Sequence, residues 1–132
     1  MNLLTHSAAI AAFALLPLVA SAEDISTHVL DISSGTGAAG VPVTLERQGE
    51  DGWTMLGEAM TADNGRVEGF AIDVESGEYR LNFDLSEYDG FDGREATFFP
   101  HIVVDFQVRD TERHHHVPVV VSGFGYSTYL GN

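Results

Sequence analysis

Residues 113–132 read RHHHVPVVVSGFGYSTYLGN. They form two apolar runs, 115–121 and 124–130, on either side of Ser122-Gly123, a dipeptide typical of turns. Runs rich in Val, Tyr and Thr that are bounded by turn residues predict strands, and two consecutive runs predict neighbouring strands. This stretch therefore indicates a β protein in which three consecutive histidines lie at the start of an apolar strand.

The same spacing of turns and apolar runs continues through the rest of the chain. Gly, Asn, Asp and Ser recur between short runs rich in Val, Ile, Thr, Tyr and Phe, which is typical of an all-β sandwich or barrel. The length of 132 residues suits a single domain. A short helix is predicted over Leu85–Phe91. The remaining predicted strands span 26–33, 41–48, 53–61, 66–70, 78–84 and 101–108.

Two of the predicted strands lack a polar face. In the run 26–32, His28 and Leu30 share one face, and an apolar residue lies between them on the other. In the run 115–121, alternate positions are apolar on both sides. Strands of this kind are covered on both faces. In so small a chain we expect the second cover to be another subunit, with His28 and His116 facing it.

The N-terminal residues have the features of a secretory signal peptide. Residues 8–20 read AAIAAFALLPLVA, and small residues follow as far as Ala22. We expect cleavage after Ala22, an exported protein in the periplasm or outside the cell, and a mature domain over 23–132. A retained anchor or a buried N-terminal helix is the alternative, although the apolar stretch is shorter than the about 20 residues that span a membrane.

The charge balance excludes some classes of partner. The formal net charge is −14, all six cations are arginines, and the chain has no cysteine. An acidic surface repels nucleic acid phosphates and anionic membrane lipids, so neither is an expected partner. An anionic ligand would need a local cationic pocket. Without disulfides, stability must come from packing or from association between chains.

Four short segments occur together in a specific order. They are STHVLD (26–31), TADNGR (61–66), FFPHI (98–102), and HHHVP (114–118) running on to YSTY (126–129). In this order and spacing they resemble the transthyretin-like family, and specifically its 5-hydroxyisourate hydrolases of purine breakdown. The resemblance covers nearly all of the expected mature chain.

The resemblance implies a fold, an assembly and a reaction. The fold is a sandwich of two four-stranded sheets with one short helix. The assembly is a homotetramer with active sites in the channel between dimers. The reaction is hydrolysis of a ring amide of 5-hydroxyisourate to 2-oxo-4-hydroxy-4-carboxy-5-ureidoimidazoline, with no metal or organic cofactor.

By match to the family motifs, the catalytic residues are His28, Arg66 and His116. The chemistry suits these residue types. Imidazole, with an ordinary pKa of about 6.5, can accept or donate a proton near neutrality. Arginine stays charged and presents a planar fork to a carbonyl or an oxyanion. The sequence does not distinguish which histidine activates water.

Further residues are expected to line or support this site. The family pattern closes with Tyr-Arg-Gly-Ser, and the substrate-binding residues expected here are Tyr129, Leu130, Gly131 and Asn132. Leu130 thus replaces a cation. His114 is expected to orient His116, because the two share a face of the strand, and Ser127 is expected to lie behind the catalytic residues.

Two other functions fit the same residues less well. A non-enzymatic carrier could bind a small ligand in the same channel, and Leu130 makes that channel less cationic. A metal-binding exported protein could use His114 and His116 at alternate strand positions, with His28 or His101 as a third ligand. Outside a catalytic site, His28 would be a satisfied core residue, and His116 would pack in an interface.

Overall fold

The computed structural model describes residues 24–91 and 97–132, and the predicted signal peptide lies outside these ranges. No helix in the described residues is long and apolar enough to span a membrane. The strands are β1 (Ile25–Asp31), β2 (Thr36–Gly37), β3 (Pro42–Gly49), β4 (Gly52–Met60), β5 (Arg66–Val67), β6 (Gly77–Asp84), β7 (His101–Val108), β8 (His115–His116), β9 (Val119–Ser122) and β10 (Gly125–Thr128).

The strands form two sheets, which confirms the predicted all-β sandwich. One sheet has four antiparallel strands in the order β4-β3-β6-β7. The other has six short strands: β10-β9-β1-β2 in order, with β5 and β8 also paired to β1. Strand β1 is the centre of this second sheet, and it runs parallel to β8 and β9. The residues of the expected site therefore meet around a single strand.

The core lies between the two sheets and follows the period of two that the sequence predicts. On β6, Tyr79, Leu81 and Phe83 are buried, and the residues between them are half-buried. On β1, Ile25 and Val29 face the same core. Side chains of a strand alternate between its faces, so Ser26, His28 and Leu30 of β1 face away from the core.

The second sheet contains more and shorter strands than the four-stranded sheet that was expected. The predicted strand 115–121 is divided into β8 and β9 because Pro118 has no N–H to donate to a neighbouring strand. The predicted strand 66–70 ends at Val67. Beyond it, the backbone N–H groups of Phe70 and Ala71 donate to the buried carboxylate of Asp24 instead of to a strand.

The predicted helix over Leu85–Phe91 is wrong. Leu85 is buried, and a single turn follows it, closed by a hydrogen bond from the Tyr88 N–H to the Leu85 carbonyl. Phe91 has φ +55°, in the left-handed region that no right-handed helix contains. The described residues contain no α-helix. Burial of Leu85 and Phe91 against the core outweighs the local helical preference of this segment.

A buried carboxylate joins this turn to β1. Asp31 is 1% exposed; one oxygen accepts hydrogen bonds from Ser33, and the other accepts from the Tyr88 hydroxyl at 2.8 Å and the Phe91 N–H at 3.3 Å. Burial opposes ionisation, but these donors hold the pKa of Asp31 below its ordinary value. The carboxylate therefore stabilises the fold at neutral pH, and this contribution is lost as the pH falls through the lowered pKa.

Replacing Asp31 with alanine is expected to lower the free energy of unfolding by about 2–4 kcal/mol, because several buried donors lose their acceptor at once. Urea denaturation at pH 7 measures the loss. Asp73→Ala is the matched control, since Asp73 is exposed and its replacement should change the free energy by less than about 0.5 kcal/mol. Equal stability of the two variants would contradict a structural role for the Asp31 carboxylate.

Candidate active site

The three residues expected to be catalytic lie together on the outer face of the six-stranded sheet. Strand register pairs His28 with Arg66 on β5 and Ser26 with His116 on β8. Directly paired residues share a face, and His28 and Ser26 are two positions apart on β1, so all four point the same way. Leu30 continues this face along β1. We call these residues, Ser26, His28, Leu30, Arg66 and His116, the outer-face cluster.

A serine hydroxyl joins two of the histidine rings. Ser26 Oγ lies 2.7 Å from His116 Nδ1 and 2.6 Å from His114 Nε2. Ser26 is 5% exposed, so these hydrogen bonds are shielded from water. With Nδ1 engaged by Ser26, His116 has Nε2 available for a ligand. This arrangement agrees with the expectation that His114 orients His116, although the contact between them runs through Ser26.

The second histidine that is expected to be catalytic, His28, is held by the loop that carries Arg66. His28 Nε2 lies 3.0 Å from the Asn64 carbonyl oxygen. A carbonyl only accepts hydrogen bonds, so Nε2 carries the proton, and in the neutral ring Nδ1 is the free acceptor. The side chain of Asn64 accepts the Arg66 N–H at 3.0 Å, which fixes the start of β5.

Close approach of this loop to β1 requires a glycine. Gly65 has φ +79°, and its carbonyl accepts the Val29 N–H at 2.8 Å. A Cβ atom at position 65 would lie 2.4 Å from the Val29 carbonyl oxygen, closer than any real contact. Only glycine therefore allows the Asn64-Gly65 turn to place Arg66 beside His28.

The surroundings of His116 favour its neutral form. Burial lowers the pKa of His116, and the positive charge of Arg66 lowers it further; His114 and His28 act in the same direction, and Glu68 opposes them. A neutral imidazole at pH 7 can accept a proton, so His116 is suited to act as a base.

The C-terminal residues return to the same ring. Gly131 forms an isolated β-bridge with His116, and its N–H donates to the His116 carbonyl at 2.8 Å. A Cβ at position 131 would lie 2.6 Å from His116 Cδ2, which is bonded to the free Nε2. Gly131, which is expected to bind substrate, is thus in contact with His116, which is expected to be catalytic.

Comparison with known proteins places this geometry in a family. The HIUase/Transthyretin family model matches residues 25–131. The chain belongs to the HIUase/Transthyretin family. Among its relatives, 5-hydroxyisourate hydrolase of Salmonella typhi is 37% identical over 133 residues, which cover 98% of this chain and 96% of that protein. A probable 5-hydroxyisourate hydrolase of Caenorhabditis elegans is 43% identical over 110 residues, covering 82% and 81% of the two chains.

Solved structures of this family share the fold. Klebsiella pneumoniae 5-hydroxyisourate hydrolase has a TM-score of 0.69 and 36% identity, covering 83% of this chain and 99% of that one. Sea bream transthyretin in complex with thyroxine has a TM-score of 0.74 and 25% identity, covering 82% and 94%. The sandwich is therefore shared by proteins that are named for an enzymatic activity and by one named for a complex with a small ligand.

Two other residues that are expected to bind substrate line a cavity on the side of β8 opposite to His116. Tyr129 and Leu130 line a space of about 300 Å³ together with Arg109, Arg113 and His115. His115 is 6% exposed, and burial, followed by the charge of Arg113, lowers its pKa. Since adjacent residues point to opposite faces, this cavity faces away from His116. Asn132 is exposed at the end of the chain.

Ser127 lies on the same face of the sheet as the outer-face cluster, whereas His101 lies in the other sheet. Ser127 is exposed on β10 and pairs with Val120, which in turn pairs with Leu30 of β1, so it lies two strands away from Leu30 and not behind the cluster as expected. His101 begins β7 in the other sheet, where its Nδ1 lies 3.5 Å from an Asp84 carboxylate oxygen. Among the described residues, no group of three or more His, Asp or Glu side chains is arranged to hold a metal ion.

The five described arginines have different surroundings, and only Arg66 belongs to the outer-face cluster. Arg47 is ion-paired with Glu75. Arg80 is ion-paired with Glu46 and stacks 4.3 Å from the Trp53 ring centroid. The remaining two, Arg109 and Arg113, line the cavity beside His115. Arg94 lies outside the described residues.

Sequence reasoning did not identify Ser26 as a residue that contacts the expected catalytic histidine His116. It was part of the STHVLD motif, but a serine in a strand has no distinctive pattern of its own. The alternation of side chains along the strands could have indicated it, because His114 and His116 lie on one face and Ser26 lies on the same face when β1 pairs with β8. The sequence does not show that β1 and β8 are paired.

Replacing Gly131 with alanine is expected to lower kcat about 10- to 100-fold, because the new methyl group must displace either the tail or the His116 ring from its position. The thermal unfolding midpoint should change little, since the residue is next to the C-terminus. Gly125→Ala is the control, because its Cβ would meet only Ser122 Oγ at an ordinary 3.9 Å. Full activity of Gly131→Ala would mean that the tail does not constrain His116.

Proposed function

We propose that this protein hydrolyses 5-hydroxyisourate, as the names of its relatives state for those proteins. The observation that carries the proposal is the strand register that brings His28, Arg66 and His116 onto one face of one sheet. Two imidazoles beside a guanidinium are the groups that hydrolysis of a cyclic amide requires: a base for water, a proton donor for the leaving nitrogen, and a cation for the oxyanion.

Each residue has a distinct part in the proposed reaction. His116 Nε2 accepts a proton from water as the oxygen attacks the ring carbonyl. The Arg66 guanidinium stabilises the negative charge that develops on the carbonyl oxygen. His28, whose Nε2–H is held by the Asn64 carbonyl, orients the water through Nδ1. When the carbon–nitrogen bond breaks, the proton on His116 Nε2 passes to the leaving nitrogen. The base and the acid are then the same ring.

The negative net charge explains why the arginine matters. With a formal charge of −14, the protein as a whole repels a urate-like anion. Arg66 supplies a local positive charge at the outer-face cluster, where electrostatic attraction is needed. The protein binds no metal in this mechanism, and no organic cofactor takes part.

The test is direct. 5-Hydroxyisourate is generated in situ from urate with urate oxidase, and its ultraviolet absorbance is followed with and without the purified protein. Accelerated decay that is proportional to protein concentration supports the proposal. A rate equal to the spontaneous rate, from protein shown to be folded by circular dichroism, would overturn it.

A homotetramer is part of the proposal. Leu30 and Val120 lie on the outer face and are only half-buried in the single chain, so a partner would bury them further. The edge strands β7 and β10 end the two sheets and are open to pairing. Assembly as a homotetramer is what the resemblance to the transthyretin-like family implies. Sedimentation of the purified protein measures the mass of the assembly.

Export to the periplasm or out of the cell is proposed on the sequence of residues 1–22 alone. The N-terminal sequence of protein recovered from a periplasmic or secreted fraction tests it. Cleavage after Ala22 is the expected result, and an intact N-terminus would contradict it.

Non-enzymatic binding of a small ligand is the second candidate function. Leu130 favours it, because this exposed apolar side chain stands where a cation is expected from the family pattern. The similarity to sea bream transthyretin in complex with thyroxine points the same way. A folded protein without hydrolase activity that binds aromatic carboxylates in an equilibrium assay would favour this function over hydrolysis.

A further inference from the structure

Ser26 occupies an unusual position between two imidazoles that are far away in the sequence. Its hydroxyl is within hydrogen-bond distance of His114 Nε2 at 2.6 Å and of His116 Nδ1 at 2.7 Å. The residue is 5% exposed, which leaves little room for water to replace either ring. The parallel pairing of β1 with β8, which places Ser26 opposite His116, fixes this arrangement in the backbone.

The chemistry of a hydroxyl links the protonation of the two rings. A serine has one proton to donate and two lone pairs to accept. When both rings are neutral, Ser26 can donate to only one of them, so the other must donate to Ser26. If His116 carries its proton on Nδ1, then His114 Nε2 accepts from Ser26. If His114 carries its proton on Nε2, then His116 Nδ1 accepts.

We propose that Ser26 is a positioning residue that couples His114 to His116 as a proton relay, an inference that rests on the proposed hydrolase function. The hydroxyl holds the His116 ring so that Nε2 faces the substrate, and it exchanges protons between the two rings during turnover. His114 thereby takes part in the reaction without touching the substrate.

The proton count of the relay balances. At the start, His116 has a proton on Nδ1 and a lone pair on Nε2. As Nε2 takes a proton from water, the Nδ1 proton passes to Ser26 Oγ, and the Ser26 proton passes to His114 Nε2. The hydroxide oxygen forms its bond to the substrate carbonyl carbon, and the positive charge resides on His114. When the carbon–nitrogen bond breaks, Nε2 gives its proton to the leaving nitrogen, and the relay runs in reverse.

The charges around His116 explain why such a relay is useful. Burial, the positive charge of Arg66, and the neighbouring His114 and His28 all lower the pKa of His116, while Glu68 raises it. A lasting positive charge on His116 is therefore disfavoured. In the proposed relay the charge moves on to His114 and does not stay on His116.

Kinetics of two substitutions at position 26 test the inference. Ser26→Ala is expected to lower kcat roughly 10- to 100-fold and to leave KM within about twofold, since the relay affects proton transfer and not substrate contact. Ser26→Thr keeps the hydroxyl and is expected to retain most of the wild-type kcat. Ser34→Ala, in the exposed turn after β1, is the control and should behave as wild type.

Two kinetic outcomes would overturn the proposal. One is a wild-type kcat in Ser26→Ala. The other is an equal loss in the alanine and threonine variants, both shown to be folded by thermal denaturation, because the hydroxyl would then be irrelevant.

A second measurement needs no substrate and therefore separates this inference from the proposed hydrolase function. Ring ¹⁵N chemical shifts of His114 and His116, recorded by NMR at alkaline pH where both rings are neutral, report which nitrogen of each ring carries the proton. Because Ser26 has one proton to donate, one of His116 Nδ1 and His114 Nε2, and not both, should be protonated in the wild-type protein. In Ser26→Ala this link between the two tautomers should be lost. Protonation of both nitrogens, or of neither, in the wild-type protein would overturn the relay even if the hydrolase activity is present.

Discussion

Replacing His116 with alanine is expected to lower kcat for 5-hydroxyisourate by about 10²- to 10⁴-fold, the range for loss of a general base. Within the outer-face cluster, His116 is the imidazole whose ring is hydrogen-bonded through Ser26 to a second histidine, His114. Gly131 of the C-terminal tail lies against the Cδ2 side of this ring. Ultraviolet decay of 5-hydroxyisourate at saturating substrate measures the effect.

The control for this substitution is His101→Ala. His101 is exposed on β7 in the other sheet and lies near Asp84, so its loss should leave kcat unchanged. Similar losses in both variants would indicate a general effect on folding instead of a catalytic one. A His116→Ala protein with more than a tenth of the wild-type kcat would contradict the assignment of His116 as the base.

The pH dependence of the wild-type protein provides an independent check on His116. Burial and the charge of Arg66 lower its pKa below the ordinary 6.5, so the ring stays neutral as the pH falls through 6.5. The rate of hydrolysis should therefore stay constant as the pH falls to 6.5 and should decrease only at lower pH. The same shift makes the unfolded state bind more protons below pH 6.5, so His115 and His116 should both make the fold less stable there.

Replacing Arg66 with alanine is expected to lower kcat by about 10²- to 10³-fold, the usual cost of removing one group that stabilises an oxyanion. Arg66 is paired with His28 by strand register, and it is the one described arginine within the outer-face cluster. Arg66→Lys should recover part of the rate, because it restores the charge without the planar fork. The same ultraviolet assay measures all three proteins.

The pH dependence of the rate distinguishes an electrostatic role of Arg66 from a purely structural one. Without the guanidinium, the pKa of His116 loses one of the influences that lower it. The acid limb of the rate profile should therefore move to higher pH in Arg66→Ala and stay near its wild-type position in Arg66→Lys. Arg47→Ala is the control, because Arg47 is ion-paired with Glu75 away from the cluster. An unmoved acid limb in Arg66→Ala would contradict a direct charge effect on His116.

Much of the site followed from local motifs. His28, Arg66 and His116 were identified by their segments, and the structure brings all three to one face. Gly131 was expected to bind substrate, and it contacts His116. The cavity behind β8, in contrast, was not foreseen. Its lining joins Arg109 and Arg113, which lie between β7 and β8, to Tyr129 and Leu130 of the tail.

Two of the errors in the predicted secondary structure have the same cause. The segment Leu85–Phe91 has a local pattern that is compatible with a helix, but Leu85 and Phe91 are both buried in the core, and the Asp31 carboxylate accepts hydrogen bonds from the Tyr88 hydroxyl and the Phe91 N–H. The run 66–70 has the composition of a strand, yet its second half is bound by Asp24. In both cases a distant carboxylate competes with the local hydrogen bonds.

The sequence by itself determined the features that depend on neighbours along the chain. The period of two along each strand set which residues face the core, Pro118 set the break between β8 and β9, and Gly65 set the turn before Arg66. These follow from backbone geometry at the residues themselves.

Only the tertiary structure decided which strands lie beside β1 and in what register. That register pairs Ser26 with His116 across 90 residues of chain and places the Ser26 hydroxyl between two imidazoles. A shift by one residue would turn every side chain of β8 to the other face and separate His116 from Ser26 and His28. Register is a property of packing between distant segments, because the buried faces of both strands must meet the same core, and no local pattern specifies it.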